Sequence, residues 1–318
     1  MFQQCLKLKG DTHNMVTEVD VSILEKLDPI FKANIDHKLL YRFLDFASIA
    51  FQSNINSVLK MRLSKDGIHA QAVDSKHTYL VRLHIGVDDL NNWSLADGVN
   101  SFSKSGESND QTIAIDMDRF HSFVRSYTQR FSKEGVDLRT YVNNSDGQIN
   151  RMINNLQLED EYVLLTSDLC DPTKVLDPKG EPSFSHHSAF NLTGDNLETF
   201  LRFFKAADGS FDPLAITAQN VDGVDQVVFA RGELKPNEMS GRLTARLRLE
   251  TPIDNTNLMG DCARFDYDTL SLFMGAFQKA RLENLTMKVS TDKPIYMCAK
   301  LGKNSTVEYM LAPRVDEV

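Results

Sequence analysis

The sequence predicts an α+β protein of two similar domains, each with two helix-plus-antiparallel-sheet units. Three observations carry this. Amphipathic helices start near positions 37, 116, 195 and 266, at intervals of 79, 79 and 71 residues. Each is followed by a strand, an Asp-containing turn and another strand. Between the second and third units, residues 168–183 hold three prolines and no periodicity, which marks a linker. The period is longer than that of common solenoid repeats, so internal duplication in a two-domain body fits better than a superhelix. The expected layout is an N-terminal extension over 1–28, a first domain over 29–167, a connector over 168–183 and a second domain over 184–318.

Residues 1–28 show no sustained period. From position 30 an extended segment leads into a helix over 37–52, with Leu39, Leu40, Phe43, Ala47 and Ala50 on one face. Residues 57–85 alternate almost without a break. Leu59, Met61 and Leu63 are followed by the turn Lys65-Asp66-Gly67, then by Ile68, Ala70 and Ala72; after the polar break at 74–77 come Tyr79, Val81, Leu83 and Ile85. This reads as three antiparallel strands with one face buried and one wet. Residues 86–110, which hold the sole tryptophan, Trp93, read as a polar, loop-rich insertion. A helix over 116–131 and strands over 136–142, 148–153 and 161–166 complete the first half.

The second half repeats the plan. A helix over 195–208 precedes strands at 214–218, 226–231 and 242–249; a helix over 266–281 precedes strands at 285–290, 295–301 and 307–311. Each helix is expected to lay its apolar stripe on a sheet and expose its polar stripe.

Composition bounds the function. The net charge of −9 argues against a surface that coats nucleic acid everywhere. The four cysteines, Cys5, Cys170, Cys262 and Cys298, have no metal-ligand spacing and read as reduced thiols of an intracellular protein. No apolar run has membrane-spanning length. The helix segments carry nine Lys and Arg against eight acids, so they total +1 while the remainder carries −10. Five of those acids, Asp116, Asp118, Asp195, Asp266 and Asp268, lie at helix starts, where they cap amides and suit the macrodipole. The helix bodies are therefore basic within an acidic protein. Solvated helix faces are one reading, and a sequence-independent phosphate surface is the other.

Arg242, Arg246 and Arg248 share one strand face and read as solvated edge protection. His186-His187 lacks companion ligands, and 254–261 lacks the ligand alternation and central glycine of a calcium loop. No nucleophile-elbow, zinc-protease, phosphate-loop or dinucleotide fingerprint is present, so no cofactor and no catalytic residue is expected.

The stretch Asp66-Gly67-Ile68-His69-Ala70-Gln71-Ala72-Val73-Asp74-Ser75-Lys76-His77-Thr78-Tyr79-Leu80-Val81 resembles the first-domain signature of the proliferating cell nuclear antigen (PCNA) sliding clamps. Further matches lie at Ala230-Arg231-Gly232-Glu233-Leu234, at Asp292-Lys293-Pro294 and at Tyr309-Met310-Leu311-Ala312-Pro313-Arg314, which an acidic end follows. The resemblance spans about 30–318.

It implies the DNA-clamp fold: a ring of identical subunits, helices lining the hole and sheets forming the wall. The implied function is that of a DNA polymerase processivity factor, a homotrimer that encircles duplex DNA without reading its sequence, serves DNA replication and repair, is placed by a clamp loader and holds proteins with clamp-binding peptides. The implied DNA-facing residues are Lys38, Arg42, Arg119, Arg125, Arg130, Arg202, Lys205, Lys279 and Arg281. A partner-peptide pocket is implied at Val73, His77, Thr78, Val175, Leu176, Pro294, Ala312 and Pro313. Subunit contacts are implied between 161–166 and 226–231, through Val163, Leu165, Val227 and Phe229. Two alternatives stand beside this reading: a subunit of a heterotrimeric checkpoint-type clamp, and a metal-dependent nucleic-acid enzyme using Asp222, Asp225 and Asp254.

Overall fold

The computed structural model describes residues 29, 31–49, 58–74, 76–96, 111–118, 120–121, 135–142, 154–159, 164–168, 170, 175, 184–207, 213–231, 243–249, 254–255 and 261–314. The extension over 1–28 and most of the connector lie outside them. So does the predicted helix over 116–131 apart from residues 116–118 and 120–121.

Strand β1 (Phe31–Ile35) buries every second residue and leads into α1 (His37–Ile49). Asp36 starts that helix by accepting the N–H groups of Lys38 at 2.9 Å and Leu39 at 3.1 Å, two donors that the first turn leaves without partners. The predicted three-stranded stretch forms as β2 (Val58–Ser64), β3 (Gly67–Val73) and β4 (Tyr79–Gly86). Gly67 is obligatory in the β2–β3 turn. Its φ is +131°, and a Cβ there would lie 2.0 Å from the Ile85 carbonyl oxygen.

Residues Leu90–Leu95 form β5, paired to β1 through a register shift and an Asn92 at φ +50°. The loop-rich insertion expected over 86–110 is thus corrected in its first part: a bulged strand folds Trp93 against the core. Residues 97–110 lie outside the described set. Strands β6 (Gln111–Asp116), β7 (Val136–Val142), β8 (Asn154–Glu159) and β9 (Leu164–Asp168) follow. The strand expected at 148–153 lies outside the described residues; β8, at 154–159, pairs with β7.

The second half comprises β10 (Ser188–Thr193), α2 (Gly194–Ala206), β11 (Leu214–Val221), β12 (Val224–Arg231), β13 (Leu243–Arg248), β14 (Asp254–Asn255), β15 (Asp261–Phe265), α3 (Tyr267–Lys279), β16 (Asn284–Val289), β17 (Ile295–Lys300) and β18 (Thr306–Leu311). Asp266 caps α3, accepting from the Thr269 N–H at 2.9 Å and the Thr269 hydroxyl at 2.7 Å.

The described strands form three sheets. A five-stranded sheet runs β5-β1-β7-β8-β9, a four-stranded sheet runs β13-β12-β11-β15, and a nine-stranded sheet runs β14-β10-β16-β17-β18-β4-β3-β2-β6. The last spans both halves of the chain, because β18 pairs with β4 from Thr306↔His84 to Leu311↔Tyr79. Beneath that seam α1 meets α3. Phe46 and Phe273 lie 5.2 Å apart, Phe273 stacks on Tyr309 at 4.9 Å, and Tyr309 stacks on Tyr79 at 5.8 Å. The two tyrosine hydroxyls donate to helix carbonyls, Tyr79 to Ile49 at 3.0 Å and Tyr309 to Thr269 at 3.1 Å, so neither is buried without a partner. Helix α2 packs its phenylalanines on the second half, with Phe200 4.4 Å from Phe229.

Candidate nucleic-acid and partner-binding surfaces

The expected DNA-facing residues fall into three groups. Lys38, Lys205, Lys279 and Arg281 are exposed at helix ends. Arg202 is exposed but holds Glu198 one turn earlier, Nη2 to Oε1 at 2.5 Å, a surface pair that offsets its charge. Arg42 is half-buried, and its Nη1 donates to the Leu301 carbonyl at 2.9 Å, which ties α1 to the β17–β18 turn. Arg119, Arg125 and Arg130 lie outside the described residues. Lys205 of α2 and Lys279 of α3 sit in the last turn, where the macrodipole favours positive charge.

The β3–β4 loop is built on Asp74, whose residue is 3% exposed. Its Oδ1 accepts the Thr78 N–H at 2.6 Å and the Tyr79 N–H at 3.0 Å. Its Oδ2 accepts the Thr78 hydroxyl at 2.7 Å and the Lys76 N–H at 3.3 Å. The loop closes with the His77 N–H donating to the Asp74 carbonyl at 3.0 Å, and His77 stands exposed at φ +56°. The C-terminal segment is hydrogen-bonded to this loop: the Ala312 N–H donates to the Thr78 carbonyl at 2.8 Å, and two residues later Arg314 donates to the Arg264 carbonyl at 2.8 Å. Since Ile295 faces Leu311 across β17 and β18, Pro294 stands one step beyond that pair, on the side of Ala312. Val73, His77, Thr78, Pro294, Ala312 and Pro313 are thus gathered at one end of the β4–β18 seam. Val175 is half-buried and is not brought to the group by any contact among the described residues, and Leu176 lies outside them.

Sequence reasoning missed the apolar ground beside this cluster. Tyr296, Met310 and Leu80 are directly opposed on three adjacent strands. Phe184, 43% exposed, approaches His186 edge-on, and His186 Nε2 lies 2.8 Å from the Pro294 carbonyl and its ring 6.3 Å from that of Tyr296. The Lys288 ammonium lies 4.9 Å over the Tyr296 ring. The available signal was the pleat: alternation in β17 and β18 places Tyr296 and Met310 on the face where polar residues belong.

The proposed edge pairing needs a correction. Val227 and Phe229 lie in β12, which pairs with β11 on one side and β13 on the other, and both are fully buried. Neither edge of β12 is open. The outer strands of that sheet are β13 and β15, while β9, containing Leu165, is an outer strand of the five-stranded sheet. Val163 lies outside the described residues. Of the carboxylates in the metal-enzyme alternative, Asp222 sits in the β11–β12 turn, Asp225 accepts from the Asn220 side chain at 2.7 Å, and Asp254 lies on the outermost strand of the large sheet. Among the described residues, no three His, Cys, Asp or Glu side chains form a metal-holding group.

No protein-family model matches the chain. A curated relative, the DNA polymerase sliding clamp of Methanocella arvoryzae, is 27% identical over 292 residues, covering 90% of this chain and 99% of the relative. Among solved structures, A. fulgidus PCNA bound to the C-terminal region of FEN-1 superposes with a TM-score of 0.64 at 19% identity. It covers 91% of this chain and all of that one. The chain has the fold of the PCNA-family sliding clamps. Entamoeba histolytica PCNA agrees, with a TM-score of 0.64 at 16% identity over 91% of this chain, and so does Thermococcus kodakaraensis PCNA, at 0.60 and 15% over 89%; each is covered in full. The seam between β4 and β18 joins the two halves of this chain, and the Asp74 loop lies at its end.

Proposed function

We propose that the chain is a DNA sliding clamp: a non-catalytic processivity factor that closes as a homotrimeric ring around duplex DNA, after loading by a clamp loader. The carrying observation is the nine-stranded sheet fused at β4–β18 with α1 and α3 packed beneath it, matched over nine-tenths of the chain by clamps. Lys38, Lys205, Lys279 and Arg281 then contact phosphates on the helix side, and Arg202 does so when it releases Glu198. Phosphate contacts without base readout suit a ring that must slide.

Ring closure uses the outer strands. Edge strand β9 of one subunit pairs with β13 of the next, and the exposed Arg246 and Arg248 keep β13 from indiscriminate pairing before closure. Polymerases and repair proteins dock an aromatic-anchored peptide on the surface around Val73, His77, Thr78, Pro294, Ala312 and Pro313, extended by Tyr296, Met310 and Phe184. The setting is replicating DNA inside the cell.

The test is the mass of the purified chain in solution, combined with its retention on closed and linear DNA. A trimer held on nicked circles and lost from linear ends is the expected result. A strict monomer at micromolar concentration with no retention on circles would overturn the reading.

A further inference from the structure

The face of the large sheet turned away from the helices carries a basic concavity of about 520 Å³ that the clamp reading does not use. Two neighbouring rungs of the ladder build it. One runs Arg62, His69, His84 and Thr306 across β2, β3, β4 and β18; the next runs Lys60, Gln71, Arg82 and Glu308 across the same strands. Buried residues alternate with these along each strand, and those of β3, β4 and β18 face α1 or α3, so every one of these side chains projects outward. Directly opposed residues stand roughly 4.5–5.5 Å apart, which sets three fixed cations and one carboxylate around a pair of imidazoles. In a chain of net charge −9, this is a local reversal of sign.

Two details point to the kind of ligand. The rings of His69 and His84 are stacked at 4.4 Å with planes 11° apart, anchored by Ser64 Oγ at 3.1 Å and the Asp66 carbonyl at 3.3 Å. Arg82 has its Nη1 3.9 Å from Glu308, while its enclosed Nη2 has no acceptor among the described residues. The 24% of the Arg82 side chain that remains exposed is what a phosphate oxygen in the concavity would meet. The lining offers no exposed apolar anchor of the kind that dominates protein–protein hot spots. Cations beside a flat π-stack are what single-stranded nucleic acid uses: charge follows the backbone and a ring stacks on an unpaired base.

We infer that this outer face binds a short stretch of single-stranded nucleic acid, with phosphates at Arg62, Lys60 and Arg82 and a base stacked on the His69–His84 pair. The site lies within one subunit and does not depend on ring closure, so it stands or falls separately from the proposed function.

The test is fluorescence anisotropy of the full-length chain with a labelled oligothymidylate of about ten nucleotides, at low salt. Replacing Arg62→Ser and Arg82→Ser together is expected to weaken binding about tenfold or more and to flatten its salt dependence. Arg202→Ala with Lys205→Ala, on the helix side, is the comparison that reports a strand held in the ring's hole, and its effect is expected to be smaller than that of the serine pair. His69→Ala with His84→Ala should weaken the oligothymidylate but not an abasic strand of the same length. The charge-keeping pair Arg62→Lys and Arg82→Lys, checked by thermal melting to be folded, should retain most of the affinity. Unchanged binding in the serine variant overturns the inference. So does loss confined to the helix-side variant, which would place the strand in the ring's hole. Equal competition by polyglutamate or by a duplex of the same length also overturns it.

Discussion

Asp74 gathers donors from residues two to five positions further along its own loop. Asp89 instead gathers them from Lys303, Asn304 and Ser305, on the other half of the chain. Both carboxylates satisfy backbone N–H groups and a hydroxyl, yet their consequences differ. Asp74 fixes the shape of the β3–β4 loop. Asp89, with Asp88 on the Asn304 side chain, latches the turn between β17 and β18 onto the segment between β4 and β5, beside the β4–β18 seam. A local carboxylate makes a surface and a remote one holds two halves in register.

The comparison can be broken first at Asp74. Asp74→Ala leaves the Thr78 and Tyr79 N–H groups without their acceptor in a place water reaches poorly, and is expected to cost about 3 kcal/mol. Urea unfolding measures this, and binding of an aromatic-anchored clamp peptide should be lost even where the chain remains folded. A cost below about 0.5 kcal/mol would show that the loop holds its shape without the carboxylate.

Asp89→Asn keeps the shape and removes the charge, and should cost about 1–2 kcal/mol at neutral pH. Burial works against ionising Asp89, but the hydrogen bonds from Ser305, Asn304 and Lys303, with the Lys303 charge, outweigh it and hold the carboxyl below its ordinary value. On lowering the pH, the unfolded chain therefore takes up this proton first. The stabilisation is complete above about pH 4 and drains away as pH falls further through the lowered native value. Wild type and Asp89→Asn should converge in stability below that range. A difference independent of pH would remove charge from the account. Gly302→Ala tests the same latch sterically, because its Cβ would stand 2.8 Å from Asp89 Oδ2. The expected loss is about 1 kcal/mol, and it should shrink in the Asp89→Ala background, where the obstacle is gone.

How much of this was legible depends on the range over which each feature is decided. Helices α1, α2 and α3 and the strands β2 to β4 follow from local period and turn chemistry, and they appear where the pattern puts them. Which strand is an edge is decided by sheet order, and the edge that the resemblance implies at 226–231 is an inner strand. The buried run Val227-Val228-Phe229-Ala230 is the mark of a strand covered on both faces and flanked by neighbours, whereas Leu243-Thr244-Ala245-Arg246-Leu247-Arg248 carries the charges of an edge. Strand β5 was hidden because Asn91-Asn92-Trp93-Ser94 has turn-like composition, and only pairing to β1 across a bulge makes it extended. In the proposed peptide surface, the Asp74 loop and the Ala312-Pro313 segment carry a motif that the sequence displays. Tyr296, Met310 and Phe184 carry none, since their proximity arises from the register of three strands and from a segment preceding β10.

The smallest expected effect separates loop shape from loop function most directly. His77 is held at φ +56°, a conformation that costs a side-chain-bearing residue roughly 1 kcal/mol relative to glycine. Its side chain is exposed, so burial does not repay that cost. Strain kept at an exposed position points to use of the side chain itself. His77→Gly should therefore raise stability by about 0.5 kcal/mol while weakening peptide binding, measured by calorimetry on the purified protein. If stability rises and binding is untouched, the imidazole is a bystander and the surface is carried by Thr78, Pro294 and Pro313. If stability falls, Asp74 alone does not set the loop, and the contrast with Asp89 loses its local half.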